Sequence, residues 1–125
     1  IMKVPIIKFD DGSFIASIKN YDFRVSEDEK HFIDASFDEN GDISYVRVGG
    51  NKDYETVDAS SIHEYIRENI SWGRNFNEKG ERVPTKYTLI KDLGTEHIKA
   101  ILDGGFGGKR IRHYLENELK WRNII

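Results

Sequence analysis

HFIDASFDENGDISYVRV, from His31 to Val48, consists of two strand-like arms around a single turn. The arms HFIDASF and ISYVRV flank Asp38-Glu39-Asn40-Gly41-Asp42, and an Asn-Gly pair accepts the positive φ that a tight reversal between strands requires. A β-hairpin follows. Upstream, PIIKF leads into the turn Asp10-Asp11-Gly12, and in SFIASIKNYDF the residues Phe14, Ala16 and Ile18 alternate with Ser13, Ser17 and Lys19. That period of two marks a strand with one buried face, and the phase changes near Asn20. Downstream, Gly49-Gly50-Asn51 turns the chain into a short strand around YETVDA. About five antiparallel strands in a meander are expected over residues 4–57, with one face in need of cover.

Helical patterns supply the cover in residues 58–125. Ser61-Ile62-His63-Glu64 has the spacing of a capping box, and Ile62, Tyr65, Ile66 and Ile70 then recur on one helical face. This helix should end between Ser71 and Gly73. SWGRNFNEKGERVP is expected to be a loop, and KYTLI a sixth strand. Thr95 can cap a second helix that turns Ile98, Ile101 and Leu102 inward before Gly104-Gly105 stops it. A last helix carries Ile111, Tyr114, Leu115 and Leu119 inward, and the closing WRNII is apolar enough to want a surface, such as another subunit. The expected class is α+β: an N-terminal antiparallel sheet of about five to six strands, with about three helices that are mostly C-terminal.

A chain of 125 residues suits one domain, 1–125, without repeats, low-complexity tracts or linkers. With 38% hydrophobic and 33% charged residues, its core must draw on seven Phe, six Tyr and two Trp, and self-association would help it. The absence of cysteine excludes a disulfide framework and thiolate zinc sites, and accords with a reducing compartment. No run approaches the roughly 20 apolar residues of a membrane span. The opening IMKVPIIKFDDG is too short in apolar length for a signal peptide, so the protein is expected to act where it is made. A net charge of −3 argues against general attraction to DNA. The basic part is the end: from Gly104 onward, Lys109, Arg110, Arg112, Lys120 and Arg122 face only Glu116 and Glu118.

GGFGGKRIR, Gly104 to Arg112, draws attention for that reason. The unpaired N–H groups of a helix start already form a positive end, so Lys109, Arg110 and Arg112 there oppose the local preference by several tenths of a kcal/mol each. A bound phosphate would compensate: Gly105, Phe106, Gly107 and Gly108 permit close backbone approach, and arginine forks match phosphate oxygens. The plainer alternative is an interhelical turn that Phe106 plugs. Named phosphate motifs do not fit. A P-loop would need Gly and Ser or Thr where the chain has Asp103 and Arg110, and the dinucleotide fingerprint would need Gly at Arg110.

In SWGRNF, Ser71 to Phe76, Trp72 and Phe76 flank Arg74, a set suited to stacking a base while a guanidinium meets a phosphate. Alternatively Trp72 staples the end of the first helix to the core. A composite pocket of the two stretches, within one chain or across two, is the expected ligand site. His63-Glu64 begins a zinc-protease motif whose second histidine position is Arg67, and His31, His97 and His113 lack metal-ligand spacing. SEDEK and DEN read as solvated turns. With no cysteine nucleophile and no serine in a nucleophile elbow, the residues name no catalytic set, no metal site and no cofactor.

The segments WGRNFNEKGERV, YTLIKDLGTEHIKAIL and GFGGKRIRHYLENELKWRNI, behind an all-β front half, resemble the first-described family of phage anti-Thoeris proteins. The resemblance implies a sponge that binds glycocyclic ADP-ribose isomers made by a TIR-domain enzyme, does not cleave them, and works in the cytoplasm of the infected bacterial host. It also implies dimers or larger homo-oligomers, and in some members cyclic oligonucleotides at separate sites. The competing expectation is a protein-binding inhibitor of a host defence enzyme, acting through the acidic β-rich face.

Overall fold

The computed structural model describes residues 1–124, and Ile125, the last residue of the apolar end, lies outside the described residues. The fold is α+β, with eight strands and three α-helices among the described residues. The hairpin of His31–Val48 forms as expected: β4 (Phe32–Phe37) pairs antiparallel with β5 (Ile43–Gly49). Gly41 takes φ +81° at the turn, and Asp38 Oδ1 accepts hydrogen bonds from the N–H groups of Asn40 and Asp42.

The front half is two sheets instead of one meander. β1 (Lys3–Lys8) lies between β2 (Phe14–Ala16) and β6 (Glu55–Asp58), while β3 (Arg24–Val25) joins β4 and β5. The returning strand β6 pairs with β1 through Val4 and Val57, a long-range pairing that no local turn signal encodes. Val4, Pro5, Ile6 and Ile7 are all buried, as a central strand covered on both faces should be. The sheets meet where Ser17 Oγ accepts the Ala35 N–H at 3.1 Å.

The expected capping box does not form. Asp58 accepts the Ser60 N–H at 3.0 Å, Ser61 Oγ donates to the Asp58 carbonyl, and a 3-10 turn (Ala59–Ile62) precedes α1 (His63–Asn69). Asp58 reaches the free amides first and leaves Ser61 the lesser role. Ile70 then returns to extended backbone and runs straight into a strand.

The largest correction concerns SWGRNFNEKGERVP. It forms most of a hairpin, β7 (Ser71–Phe76) with β8 (Arg82–Leu89), the latter taking in most of KYTLI. The turn repeats the chemistry of the first hairpin: Asn77 Oδ1 accepts from the Lys79 and Glu81 N–H groups, and Gly80 takes φ +77°. Asn77 and Gly80 thus stand where Asp38 and Gly41 stand.

After a second 3-10 turn (Ile90–Asp92), α2 (Thr95–Asp103) and α3 (Lys109–Trp121) close the core. Gly94, not Thr95, is the N-cap of α2; Thr95 Oγ1 instead accepts from Arg122 at 3.0 Å. Tyr114, Leu115 and Leu119 are buried as expected, joining Val4, Ile6, Ile18, Ile66 and Ile98. Each such aliphatic side chain contributes about 1.5–3 kcal/mol by burial. At the end of α3, Asn123 takes φ +61° and the Ile124 N–H reaches the Leu119 carbonyl at 2.9 Å, a Schellman closure. Among the described residues, no helix is long and apolar enough to cross a membrane.

Candidate functional site

The two stretches that chemistry singled out, Ser71–Phe76 and Gly104–Arg112, meet in one chain. A Cβ at Gly107 would lie 3.0 Å from Trp72 Cζ3 and 2.8 Å from Ile111 Cγ2, and Gly107 has φ +83°. Only glycine combines that backbone with that contact. Trp72 is half-buried and packs on the core from within β7, not from the end of the first helix; its ring is also the wall shared by neighbouring clefts.

The largest of these is a groove of about 670 Å³ between β7, α2 and the glycine turn, lined by Trp72, Arg74, Phe76, His97, Phe106 and Gly107 among others. Phe106 is 61% exposed and Phe76 46% exposed. Phe106 lies back over Gly104, where a Cβ would come within 2.3 Å of its ring, so it does not plug the gap between the helices. Arg74 is on a strand and not in a loop; its Nε donates to the Phe76 carbonyl at 2.8 Å, which leaves its two terminal nitrogens open. Across the Trp72 ring lies a second cleft, about 420 Å³, that includes Gly108, Lys109, Arg110 and Lys19 but also Asp38 and Glu39.

The cations of GGFGGKRIR have other work than the phosphate role expected of them. Arg112 donates to the carbonyls of Leu102 at 3.0 Å and Phe106 at 2.9 Å, and so caps the end of α2. Arg110 donates to the Lys3 carbonyl at 2.9 Å, to the Gly41 carbonyl and to the Tyr114 hydroxyl at 2.8 Å, with its guanidinium 3.6 Å from the Phe37 ring centroid. Both forks are occupied by neutral oxygens of the chain itself. Charge crowding at the start of α3 is therefore relieved by the carbonyl end of α2 and by a turn, since a cation is stabilised wherever carbonyls converge. Lys109 is exposed and reaches only Asn40 Oδ1, at 3.1 Å. Gly105 takes φ +71° and Gly108 is the N-cap of α3; both shape the turn, and neither lines the groove.

Pairing β7 with β8 adds residues that the sequence did not single out. Trp72 stands opposite Thr88 and Arg74 opposite Lys86, all four on one face, with His97 of α2 across from them. Burial, and then the charge of Arg74, hold the His97 imidazole below its ordinary pKa. The missing signal was the hairpin: once KYTLI is set against SWGRNF, the alternation places Lys86 and Thr88 beside Arg74 and Trp72.

His63, which begins an incomplete zinc-protease motif, belongs to a buried ionic network. It is buried, and its Nε2 lies 2.9 Å from Oε1 of Glu118, which has no exposed surface. Arg67 holds both oxygens of the same carboxylate at 2.9 Å, and Arg122 Nε donates at 2.6 Å. Burial alone would raise the Glu118 pKa, but hydrogen bonds from Arg67, His63 and Arg122 bring it down to about 2. This network ties α1 to α3. Among the described residues, no three of the side chains that bind metals gather in one place. No protein-family model matches the chain, and no curated protein and no solved structure is found to be similar to it.

Proposed function

We propose that the protein binds and sequesters a cyclic ADP-ribose-type signalling nucleotide, of the glycocyclic ADP-ribose kind, and releases it uncleaved. A host Thoeris effector in the cytoplasm of the infected bacterium would then go unactivated. The observation that carries this proposal is the groove beside the Trp72–Gly107 contact, where Phe76 and Phe106 leave aromatic surface open next to Arg74. Open rings beside an unpaired guanidinium suit a flat base joined to phosphate. The resemblance of the surrounding segments to phage anti-Thoeris proteins supports the same ligand class.

Magnitudes set how many such contacts are required. Competition with a receptor needs nanomolar affinity, about −12 kcal/mol. Base stacking contributes about 1–3 kcal/mol per ring and each charge-assisted hydrogen bond about 1.5–3 kcal/mol, so two rings and two cations approach that total before the losses of association.

The test is to saturate the protein with glycocyclic ADP-ribose, remove free nucleotide, denature by heat and weigh what is released. Intact cyclic nucleotide supports sequestration. A linear product would make the protein an enzyme, and absence of uptake together with a co-purifying host protein would favour an inhibitor that acts through the acidic β-rich face.

A further inference from the structure

Beside the aromatic groove, on the far side of Arg74 and His97, lies a smaller cleft of about 250 Å³ lined by Trp72, Arg74, Lys86, Thr88, Asp92 and His97 among others. Its construction breaks a local rule. Arg74 and Lys86 are direct cross-strand partners in β7 and β8, and like charges placed opposite each other destabilise a strand pair. Among the described residues neither forms an ion pair, and both terminal nitrogens of Arg74 are open. Asp92 lines the cleft without pairing with either, its charge also bearing on Arg67. The same two residues differ from Arg110 and Arg112, whose forks are satisfied by carbonyls of the chain.

We propose that this cleft is a phosphate subsite, in which the terminal nitrogens of Arg74, the Lys86 ammonium and the Thr88 hydroxyl receive the diphosphate of a nucleotide whose base occupies the neighbouring groove. The ligand's identity rests on the function proposed above; the anion chemistry rests on the cleft alone. Arg74 and His97 line both cavities, so a base against Phe76 or Phe106 and a phosphate against Lys86 are joined without crossing the core. A guanidinium, an ammonium and a hydroxyl on one face of the β7–β8 hairpin match the several oxygens of a diphosphate. An anion there would also remove the repulsion between Arg74 and Lys86.

Inorganic pyrophosphate is the first probe, followed by NMR at His97, which lines the cleft with Arg74, Lys86 and Asp92. Added pyrophosphate should move the His97 ring signals and raise its pKa toward the ordinary value, because the anion offsets the Arg74 charge. Lys86→Gln, at an exposed position, should fold normally and weaken pyrophosphate binding about tenfold or more. Signals that move at His113 in place of His97, or an affinity indifferent to Lys86→Gln, overturn the subsite. The second probe is glycocyclic ADP-ribose. If it binds wild type and Lys86→Gln equally, the subsite falls and sequestration stands; if pyrophosphate acts at His97 while the cyclic nucleotide does not bind, the subsite stands and sequestration falls.

Discussion

Arg112 Nη2 donates to the Leu102 carbonyl at 3.0 Å, so a cation in the first turn of α3 serves the last turn of α2. The turn between the helices folds back far enough that one helix's unfavourable charge is the other's cap. Removing it leaves carbonyls of Leu102 and Phe106 without that donor. Arg112→Ala should therefore lower stability by about 2 kcal/mol, measured by urea unfolding, with Arg112→Lys recovering part of the loss through charge alone.

Arg110 is expected to matter more. It joins α3 to the start of β1 and to the Asp38–Asp42 turn while its guanidinium lies against the Phe37 ring. Arg110→Ala would strand these carbonyls and uncover Phe37. A loss of about 3 kcal/mol is the expected outcome, and a melting temperature equal to wild type would return Arg110 to the role of a free ligand cation.

What could be read in the chain beforehand tracks how much each segment buries on one side. Phe14, Ala16 and Ile18 alternate because one face of their strand is covered, and the Asn40-Gly41 turn could be placed by its neighbours' periodicity. The β7–β8 hairpin lacks that cue: Gly73, Arg74, Thr85, Lys86 and Tyr87 are exposed, so neither face prints a hydrophobic period on the sequence. Its turn chemistry at Asn77 and Gly80 was present and was outweighed by the polar run around it. At the site, Trp72, Arg74, Phe76 and Phe106 were identifiable by residue type, and they do share a groove. Lys86, Thr88 and His97 were not, since their relevance comes from strand register and from the packing of α2. Arg110 and Arg112 misled for a similar reason: a fork that binds carbonyls looks, in sequence, like a fork that binds phosphate.

The carboxylate of Glu118 gives the fold an acid limit. Its pKa lies at about 2, below the ordinary value of 4.5, so its contribution is fully present above pH 4.5 and is lost as pH falls toward 2. The difference corresponds to about 3 kcal/mol. Glu118→Gln should cost a comparable amount at neutral pH and flatten the stability profile between pH 4.5 and 2, a comparison that denaturant melts at a series of pH values would make. A variant with an unchanged acid profile would show that Arg67, His63 and Arg122 hold α1 and α3 together without the carboxylate's charge.

Gly107 and Phe106, adjacent in the chain, should separate the groove's shape from its stacking surface. Gly107→Ala places a methyl against Trp72 and Ile111 at a backbone angle that alanine resists, with a strain of about 1–3 kcal/mol. Trp72 must shift, so the variant should show altered tryptophan emission, a lower melting temperature and weakened nucleotide uptake together. Phe106→Ala removes a ring that is mostly exposed and buries little, so stability should stay within about 0.5 kcal/mol of wild type. Its uptake of glycocyclic ADP-ribose should nevertheless fall by about 1–3 kcal/mol if the base stacks there. Calorimetry on the two variants distinguishes the cases: loss of affinity in Gly107→Ala alone would mean that the ligand depends on the Trp72 wall and leaves the Phe106 ring untouched.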